Sequence, residues 1–247
     1  MPAFRAKQIL EWVYRSGVDD PHEMTNLARR DRETLAESFT FVSGRTLAHQ
    51  RASDGTQKLL VQWDDPDAAP ASVGLDVLGQ NDASRQTECV MIPTESRKTA
   101  CISSQVGCPV GCRFCASGLG GLDGNLSAGR IVEQVWRLGR LPDVGRITNV
   151  VFMGMGEPLS NFRNVMHAVR TINAPWGLGI SARRITISTV GLPRAITRLA
   201  EELDLPVTLA LSLHAPNDAL RRELIPWAEY STIDELLGAC DLWYRRT

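Results

Sequence analysis

The sequence predicts an α/β protein whose C-terminal part, from residue 97 onward, is built from about four parallel βα units. Short segments that are apolar throughout, as in strands buried on both faces, alternate there with segments of helical periodicity. The 247 residues, 43% hydrophobic and 22% charged, suffice for one large domain or a core with a small appendage. We expect three regions: a helical unit at 1–42, a β-rich connector at 43–96 and the βα core at 97–247.

The first region carries two segments of helical periodicity. Phe4–Ser16 places apolar residues at helical spacing, and Gly17 is suited to end this helix. Asp19–Pro21 interrupts the pattern before Leu27–Phe39 resumes it. A unit of about 40 residues holds little core of its own, so we expect it to dock onto a neighbour or to bind a partner.

The connector region has the pattern of a β-hairpin followed by another strand. The extended segments Arg45–Arg51 and Thr56–Trp63 flank Asp54–Gly55, a pair that favours a tight turn. The polar segment Asp64–Pro70 is predicted to be a loop, and Gln86–Ile92 is predicted to be a strand. The hairpin is thus expected as an extension of the core.

The core region alternates strands and helices. In parallel βα folds, ligands bind at the carboxyl ends of the strands, so the residues that follow each strand are candidate site residues. The strands are predicted at Thr99–Ser104, Asn149–Met153, Arg184–Thr189 and Val207–Leu213, and the helices at Ala128–Leu141, Asn161–Ile172, Leu192–Leu203, Asp218–Leu224 and Thr232–Tyr244.

Three cysteines follow the first core strand at CxxxCxxC spacing: Cys108, Cys112 and Cys115. Zinc usually takes four protein ligands, and no second CxxC pair or HxxxH element is present in the sequence. A [4Fe-4S] cluster held by three cysteines instead leaves one iron open, where S-adenosylmethionine (SAM) can chelate. The spacing therefore indicates a radical SAM enzyme, with a zinc site or incidental buried cysteines as the alternatives.

The other three strand ends carry residues suited to hold SAM. Gly156 allows close backbone approach, and the Glu157 carboxylate can pair with the ammonium group of the methionine moiety. Ser188, Ser212 and His214 can bind the carboxylate or ribose. Taken singly, each is more often a turn or cap residue.

Charge and cysteine usage restrict the partners and the compartment. With 27 basic and 28 acidic residues, the net charge of −1 does not indicate a nucleic-acid partner. A local excess of seven basic over three acidic residues between Arg97 and Arg146 can face phosphates or form a solvated helix face. Six irregularly spaced cysteines, no signal-peptide pattern and no apolar run of membrane-spanning length predict a cytoplasmic protein without a membrane partner.

Five stretches carry a close resemblance to one family: Phe4–Gln8, Met24–Leu27, Cys101–Cys108, Val151–Leu159 and Leu211–Asn217. They resemble the RlmN-type dual-specificity radical SAM methyltransferases, which methylate C2 of adenine in 23S rRNA and in tRNA. A proline at position 158 is similar to this family, whereas its relative Cfr, which methylates adenine C8, tends to have another residue there.

The resemblance implies a partial (βα) radical SAM barrel, truncated here to about four βα units, and a helical domain that binds RNA. It implies that Glu88 accepts a proton and that Cys101 resolves a protein–RNA crosslink through a transient disulfide. The implied cluster ligands are Cys108, Cys112 and Cys115, and the implied SAM contacts are Gly156, Glu157, Ser188, Ser212, Leu213 and His214.

The resemblance also implies a reaction that uses two SAM molecules per turnover. One SAM methylates a cysteine, and the second is cleaved at the cluster to a 5′-deoxyadenosyl radical that activates this methyl group for addition to adenine C2. The implied partners are 23S rRNA, tRNA and an electron donor such as flavodoxin or ferredoxin, and we expect a monomer.

The sequence departs from the family at its C-terminal end. In the family the methyl-carrying cysteine lies beyond two further barrel strands, whereas this chain ends at Thr247. Cys240 lies in a predicted helix at the wrong place in the chain order to replace it. We therefore expect a truncated chain that cannot complete turnover. Two smaller departures are Gly124 and Arg130, where the family tends to have arginine and glutamate. The alternatives are a Cfr-like adenine-C8 methyltransferase and a non-catalytic, cluster-containing RNA-binding remnant.

Overall fold

A computed structural model describes residues 3–63 and 85–247, and the loop predicted at Asp64–Pro70 lies outside these residues. The described chain forms a seven-stranded mixed sheet, a two-stranded sheet and helices, which confirms the predicted α/β class. The strands are β1 Gly44–Arg51, β2 Gln57–Trp63, β3 Gln86–Pro93, β4 Lys98–Cys101, β5 Gln105–Gly107, β6 Leu122–Asn125, β7 Asn149–Phe152, β8 Ile185–Thr189 and β9 Thr208–Leu211.

The larger sheet joins the connector strands to the core strands. Its order is β1-β2-β3-β4-β7-β8-β9, in which β1 to β4 pair antiparallel and β4, β7, β8 and β9 pair parallel. The junction is the antiparallel pair of β3 and β4, where Val90 lies opposite Cys101. The predicted hairpin is therefore continuous with the βα sheet, and the region boundaries stay a prediction.

The helices lie between the strands at the predicted places. Polar side chains mark their starts: Asn217 accepts from the Leu220 N–H at 2.9 Å, and Thr232 and Glu235 form a reciprocal capping box. The helices of the core are α3 Ala128–Leu138, α4 Phe162–Asn173, α5 Pro193–Glu202, α6 Asp218–Leu224 and α7 Ile233–Arg246. No helix among residues 3–63 and 85–247 is long and apolar enough to cross a bilayer.

The two faces of the larger sheet differ in burial. One face carries apolar side chains that form a single core with the helices, among them Met91, Ala100, Val150 and Ile187. Successive side chains along each strand point to opposite faces. The second face, which we call the open face, is only partly covered by the described residues. The register places these side chains on the open face: Lys58, Leu60, Glu88, Val90, Cys101, Val151, Thr186, Ser188 and Ala210.

The N-terminal helices form a small unit that docks onto α3. It contains α1 Ala3–Leu10, a π-helical turn, a 3₁₀ turn and α2 Arg29–Ser38, and its core is centred on Met24 and Leu27. On α3, the Trp136 indole donates to the Val13 carbonyl at 2.8 Å, and the Arg140 guanidinium stacks on that indole at 3.8 Å. The expectation that this unit needs a neighbour is confirmed.

Replacing Trp136 with phenylalanine tests this docking contact. The Val13 carbonyl keeps its bond from Arg140 Nη2 at 3.1 Å, so the variant loses one hydrogen bond and leaves no acceptor unpaired. We expect the free energy of unfolding to fall by about 1 kcal/mol in urea denaturation. Trp176→Phe, at a residue that is half exposed, is the control and should change little. Equal effects of the two substitutions would contradict the docking role.

Candidate active site

The ends of the first two parallel strands, β4 and β7, are joined through backbone hydrogen bonds. The Gly154 N–H donates to the Ile102 carbonyl at 3.1 Å, and the Ser104 N–H donates to the Met155 carbonyl at 2.9 Å. Ser103 adds a side-chain link, because its hydroxyl accepts from the Met155 N–H at 2.9 Å. The stretch before the cysteines and the stretch around Gly156 therefore lie side by side, as the sequence predicts.

Glu157 joins the second strand end to the third. Its carboxylate is 3% exposed and accepts the N–H of Leu159 at 2.9 Å and the N–H of Val190 at 2.8 Å. Burial raises the pKa of Glu157, and these hydrogen bonds act in the opposite direction. The carboxylate thus orders the turn after β7 and ties it to the end of β8. An additional ion pair with an ammonium group stays a prediction.

Two serines and a strained histidine join the third and fourth strand ends. The hydroxyls of Ser188 and Ser212 are 3.2 Å apart, and the Ser212 N–H donates to the Thr189 carbonyl at 2.8 Å. His214, which follows Leu213 at the end of β9, adopts a positive φ of 59° that is uncommon for a residue other than glycine. The two predicted serines thus lie together where the parallel strands end, at the edge of the open face. We call this edge the rim.

The cysteine loop begins at the small sheet of β5 and β6, which the sequence analysis did not predict. The Cys108 N–H donates to the Gly121 carbonyl at 2.9 Å, and the Cys115 N–H donates to the Cys112 carbonyl at 3.0 Å. Within the loop, the Phe114 ring lies 4.8 Å from the His214 ring. This contact brings the loop to the fourth strand end and closes the ring of strand-end contacts.

The three thiols supply the donors that an iron–sulfur cluster requires. The pKa of Cys112 is raised to about 11, mainly by burial and also by the charges of Cys108 and Cys115. Among the described residues, no group of three or more His, Cys, Asp or Glu side chains is already at metal-holding distances. The chemistry of this donor set, three thiols on one short loop, fits a cluster.

Glu88 and Cys101 lie on the open face, below the rim. Cys101 pairs with Val90, so Glu88, two residues along β3, shares its face. The Glu88 carboxylate forms an ion pair with Lys58 Nζ at 2.8 Å, and burial raises the pKa of the Cys101 thiol. All six cysteines are free thiols, so the disulfide expected at Cys101 has no support in the structure.

Two buried amide side chains that the sequence analysis did not single out hold the strand ends together. Gln105 accepts the Glu157 N–H at 2.8 Å and donates to Asn125 and Ser160. Gln134, on the buried side of α3, accepts the N–H of Ser103 at 2.8 Å and donates to its carbonyl at 2.9 Å. Gln134 could have been found from the sequence, because it is an amide among apolar residues at helical spacing. No sequence pattern singled out Gln105.

The sequence and the fold were compared with known proteins. A family model described as "Radical SAM superfamily" matches residues 102–240, and one described as "Ribosomal RNA large subunit methyltransferase N-terminal domain" matches residues 2–41. A "Probable dual-specificity RNA methyltransferase RlmN" from Rhodopirellula baltica is 43% identical over 242 residues, which are 98% of this chain and 60% of that protein.

Two further relatives agree with these matches. A "Dual-specificity RNA methyltransferase RlmN" from Halorhodospira halophila is 43% identical over 96% of this chain and 60% of its own length. The crystal structure of a radical SAM methyltransferase from Sphaerobacter thermophilus superposes with a TM-score of 0.87 at 39% identity, covering 100% of this chain and 68% of that chain. The chain spans about 60% of the length of the curated relatives named here.

Proposed function

The chain belongs to the radical SAM superfamily and, within it, to the RlmN family, and from this premise we propose that it serves in the methylation of adenine C2 in 23S rRNA and tRNA. The observation that carries the proposal is the closed ring of contacts among the four strand ends. It puts the CxxxCxxC loop on the same rim as Ser188, Ser212 and His214, directly above the open face.

The cysteine loop is the proposed cluster site. Cys108, Cys112 and Cys115 would hold a [4Fe-4S] cluster through their thiolates, which leaves one iron for SAM. When bound, the cluster supplies the electron that splits SAM. The protein contributes placement, because the pairing of β5 with β6 holds both ends of the loop and the contact between Phe114 and His214 holds its middle.

The remaining strand ends are the proposed SAM contacts. Gly156 has φ of 96°, and a Cβ added there would lie 2.6 Å from Gln105 Cβ, so glycine lets this strand end pack closely at the proposed SAM site. The hydroxyls of Ser188 and Ser212 offer donors and acceptors on the rim, and Leu213 and His214 continue it. Glu157 keeps lone pairs free beyond its two backbone hydrogen bonds and would accept from the ammonium group of SAM.

The open face is the proposed entry for the adenine base. Glu88 would accept the proton that C2 loses, and its carboxylate lies 2.8 Å from Lys58 Nζ on this face. Cys101, on the same face and shielded from bulk water, would act in release of the product. The further partners we propose are RNA, bound with help from the N-terminal unit, and flavodoxin or ferredoxin as electron donor, with the protein acting as a monomer.

Mass spectrometry of RNA tests the proposal. A strain without adenine-C2 methyltransferase would be complemented with the natural reading frame that contains this chain, read to its stop codon, and nucleosides from 23S rRNA and tRNA would be analysed. We expect 2-methyladenosine, with the Cys112→Ala variant as the negative control. Detection of 8-methyladenosine instead would establish the C8 reaction. A cluster-loaded protein that neither cleaves SAM nor yields methylated RNA would support the non-catalytic reading and contradict ours.

A further inference from the structure

Helix α6 contains an arginine whose charge is buried and incompletely paired. Arg221 is 1% exposed. Its Nη2 group donates to the Val190 carbonyl, but Nε and Nη1 have no hydrogen-bond partner within residues 3–63 and 85–247. Buried guanidinium groups normally satisfy their donors, because an uncompensated buried charge is costly. The side chain is thus arranged for a partner that is an acceptor or an anion.

The surroundings of Arg221 place it beside the cysteine loop. The Arg113 N–H, inside the loop, donates to the Leu224 carbonyl at the end of α6 at 3.0 Å. Cys108 and Cys112 pack against the apolar cluster that contains Val190 and Ile225. The loop therefore rests directly on the helix that carries the buried cation.

Two anionic groups act on Arg221. They are Asp218 on its own helix and the thiolate form of Cys112 on the loop, and both oppose the lowering of the Arg221 pKa by burial. Asp218 already accepts the N–H of Ile233 at 2.8 Å through Oδ1. Neither carboxylate oxygen of Asp218 bonds Nε or Nη1 of Arg221, which are unpaired. Because the cysteine loop contacts α6 at Leu224 and packs against Ile225, its thiolates would supply negative charge beside Arg221.

We infer that Arg221 is a positioning residue of the iron–sulfur site, with a guanidinium that offsets the negative charge of the thiolates and keeps two N–H groups available for acceptors there. The inference rests on the proposed function insofar as it requires a cluster on these cysteines. Net charge and hydrogen bonds around the sulfurs set the reduction potential of such clusters. A buried cation stabilises the more negative, reduced form, so Arg221 raises that potential.

A purely structural role would look different. One donor is enough to tie α6 to the Val190 carbonyl, and a neutral amide would supply it without burying a charge. The same carbonyl belongs to the residue whose N–H binds Glu157, so Val190 links Arg221 to the proposed SAM site as well. The cation therefore lies where it can act on both the cluster and the residues that would hold SAM.

The midpoint potential of the anaerobically reconstituted 247-residue chain tests the inference. Arg221→Gln is neutral and keeps a donor for Val190, Arg221→Lys keeps the charge, and Arg222→Gln removes an exposed cation from the same helix. Redox titration followed by electron paramagnetic resonance should show the ratio of reduced to oxidised cluster falling about tenfold in Arg221→Gln at a fixed potential. This corresponds to about 59 mV for a one-electron couple.

Arg221→Lys and Arg222→Gln should stay close to the wild-type potential, since the first keeps a cation and the second removes one that solvent screens. An unchanged potential in Arg221→Gln, or equal shifts in Arg221→Gln and Arg222→Gln, would overturn the inference. So would a cluster-free Arg221→Gln chain that is unfolded by circular dichroism, because the role would then be structural. A wild-type chain that loads no iron would overturn the proposed function together with this inference.

Discussion

Replacing Cys112 with alanine is expected to remove the iron–sulfur cluster and, with it, reductive cleavage of SAM. Three protein thiolates hold such a cluster with one open iron, and the variant keeps only two of the three on the loop. We expect the rate of SAM cleavage to fall more than about 100-fold, since losing even an outer-shell partner of a metal ligand typically costs 10- to 100-fold in affinity or activity. Iron and sulfide analysis and a 5′-deoxyadenosine assay measure both effects.

Cys240→Ala is the matched control. Cys240 is also a partly buried thiol, but it packs against the main core from α7 and is not part of the loop. Its variant should keep wild-type iron content and cleavage. If Cys112→Ala retained a full complement of iron and the same cleavage rate, these thiols would not be the ligands, and the assignment of the cluster site would be wrong.

Replacing Gly156 with alanine is expected to destabilise the protein and to damage the rim of strand ends. Gly156 has φ of 96°, and an added Cβ would lie 2.6 Å from Cβ and 2.9 Å from the backbone nitrogen of Gln105. Gln105 cannot withdraw easily, because it is buried and its side chain accepts the Glu157 N–H. Backbone strain and overpacking together should lower the free energy of unfolding by about 3 kcal/mol, measured by urea denaturation, and SAM affinity should fall as well.

Gly120→Ala controls for the loss of glycine itself. Gly120 lies in the cysteine loop region, and a Cβ added there meets no heavy atom within 4 Å. Its variant should be as stable as the wild type or slightly more so, because alanine restricts the unfolded chain. A Gly156→Ala protein with unchanged stability would show that the loop relaxes freely, which contradicts a rigid rim.

The parts of the fold that depend on local pattern were predicted from the sequence. The four parallel strands and the five core helices lie within a few residues of their predicted positions, because apolar runs and helical periodicity act over short distances. The N-terminal unit and the hairpin around Asp54–Gly55 were predicted for the same reason. The cysteine spacing alone indicates a cluster site, and that assignment stays a prediction.

The parts that depend on long-range pairing were not predicted. Strands β5 and β6 are three and four residues long and are separated by the cysteine loop. No local sequence pattern therefore predicts that they pair. The continuity of the sheet through β3 and β4 and the bridge from Gln105 to Glu157 depend on tertiary contacts as well. Arg221 looked like one of several arginines on a charged helix, and its burial appears only when α6 packs against the loop.

The open face of the larger sheet is only partly covered, and this affects which substrates can reach the proposed site. A closed barrel admits a small metabolite through its mouth, whereas the open face extends along strands from β2 to β9 with partly exposed side chains. Under the proposed function, a nucleotide still attached to its neighbours would reach the rim across this face. For such a site, free adenosine fills only a small part of the available surface and should compete poorly, so discrimination would come from the size and shape of the polymer as much as from the base.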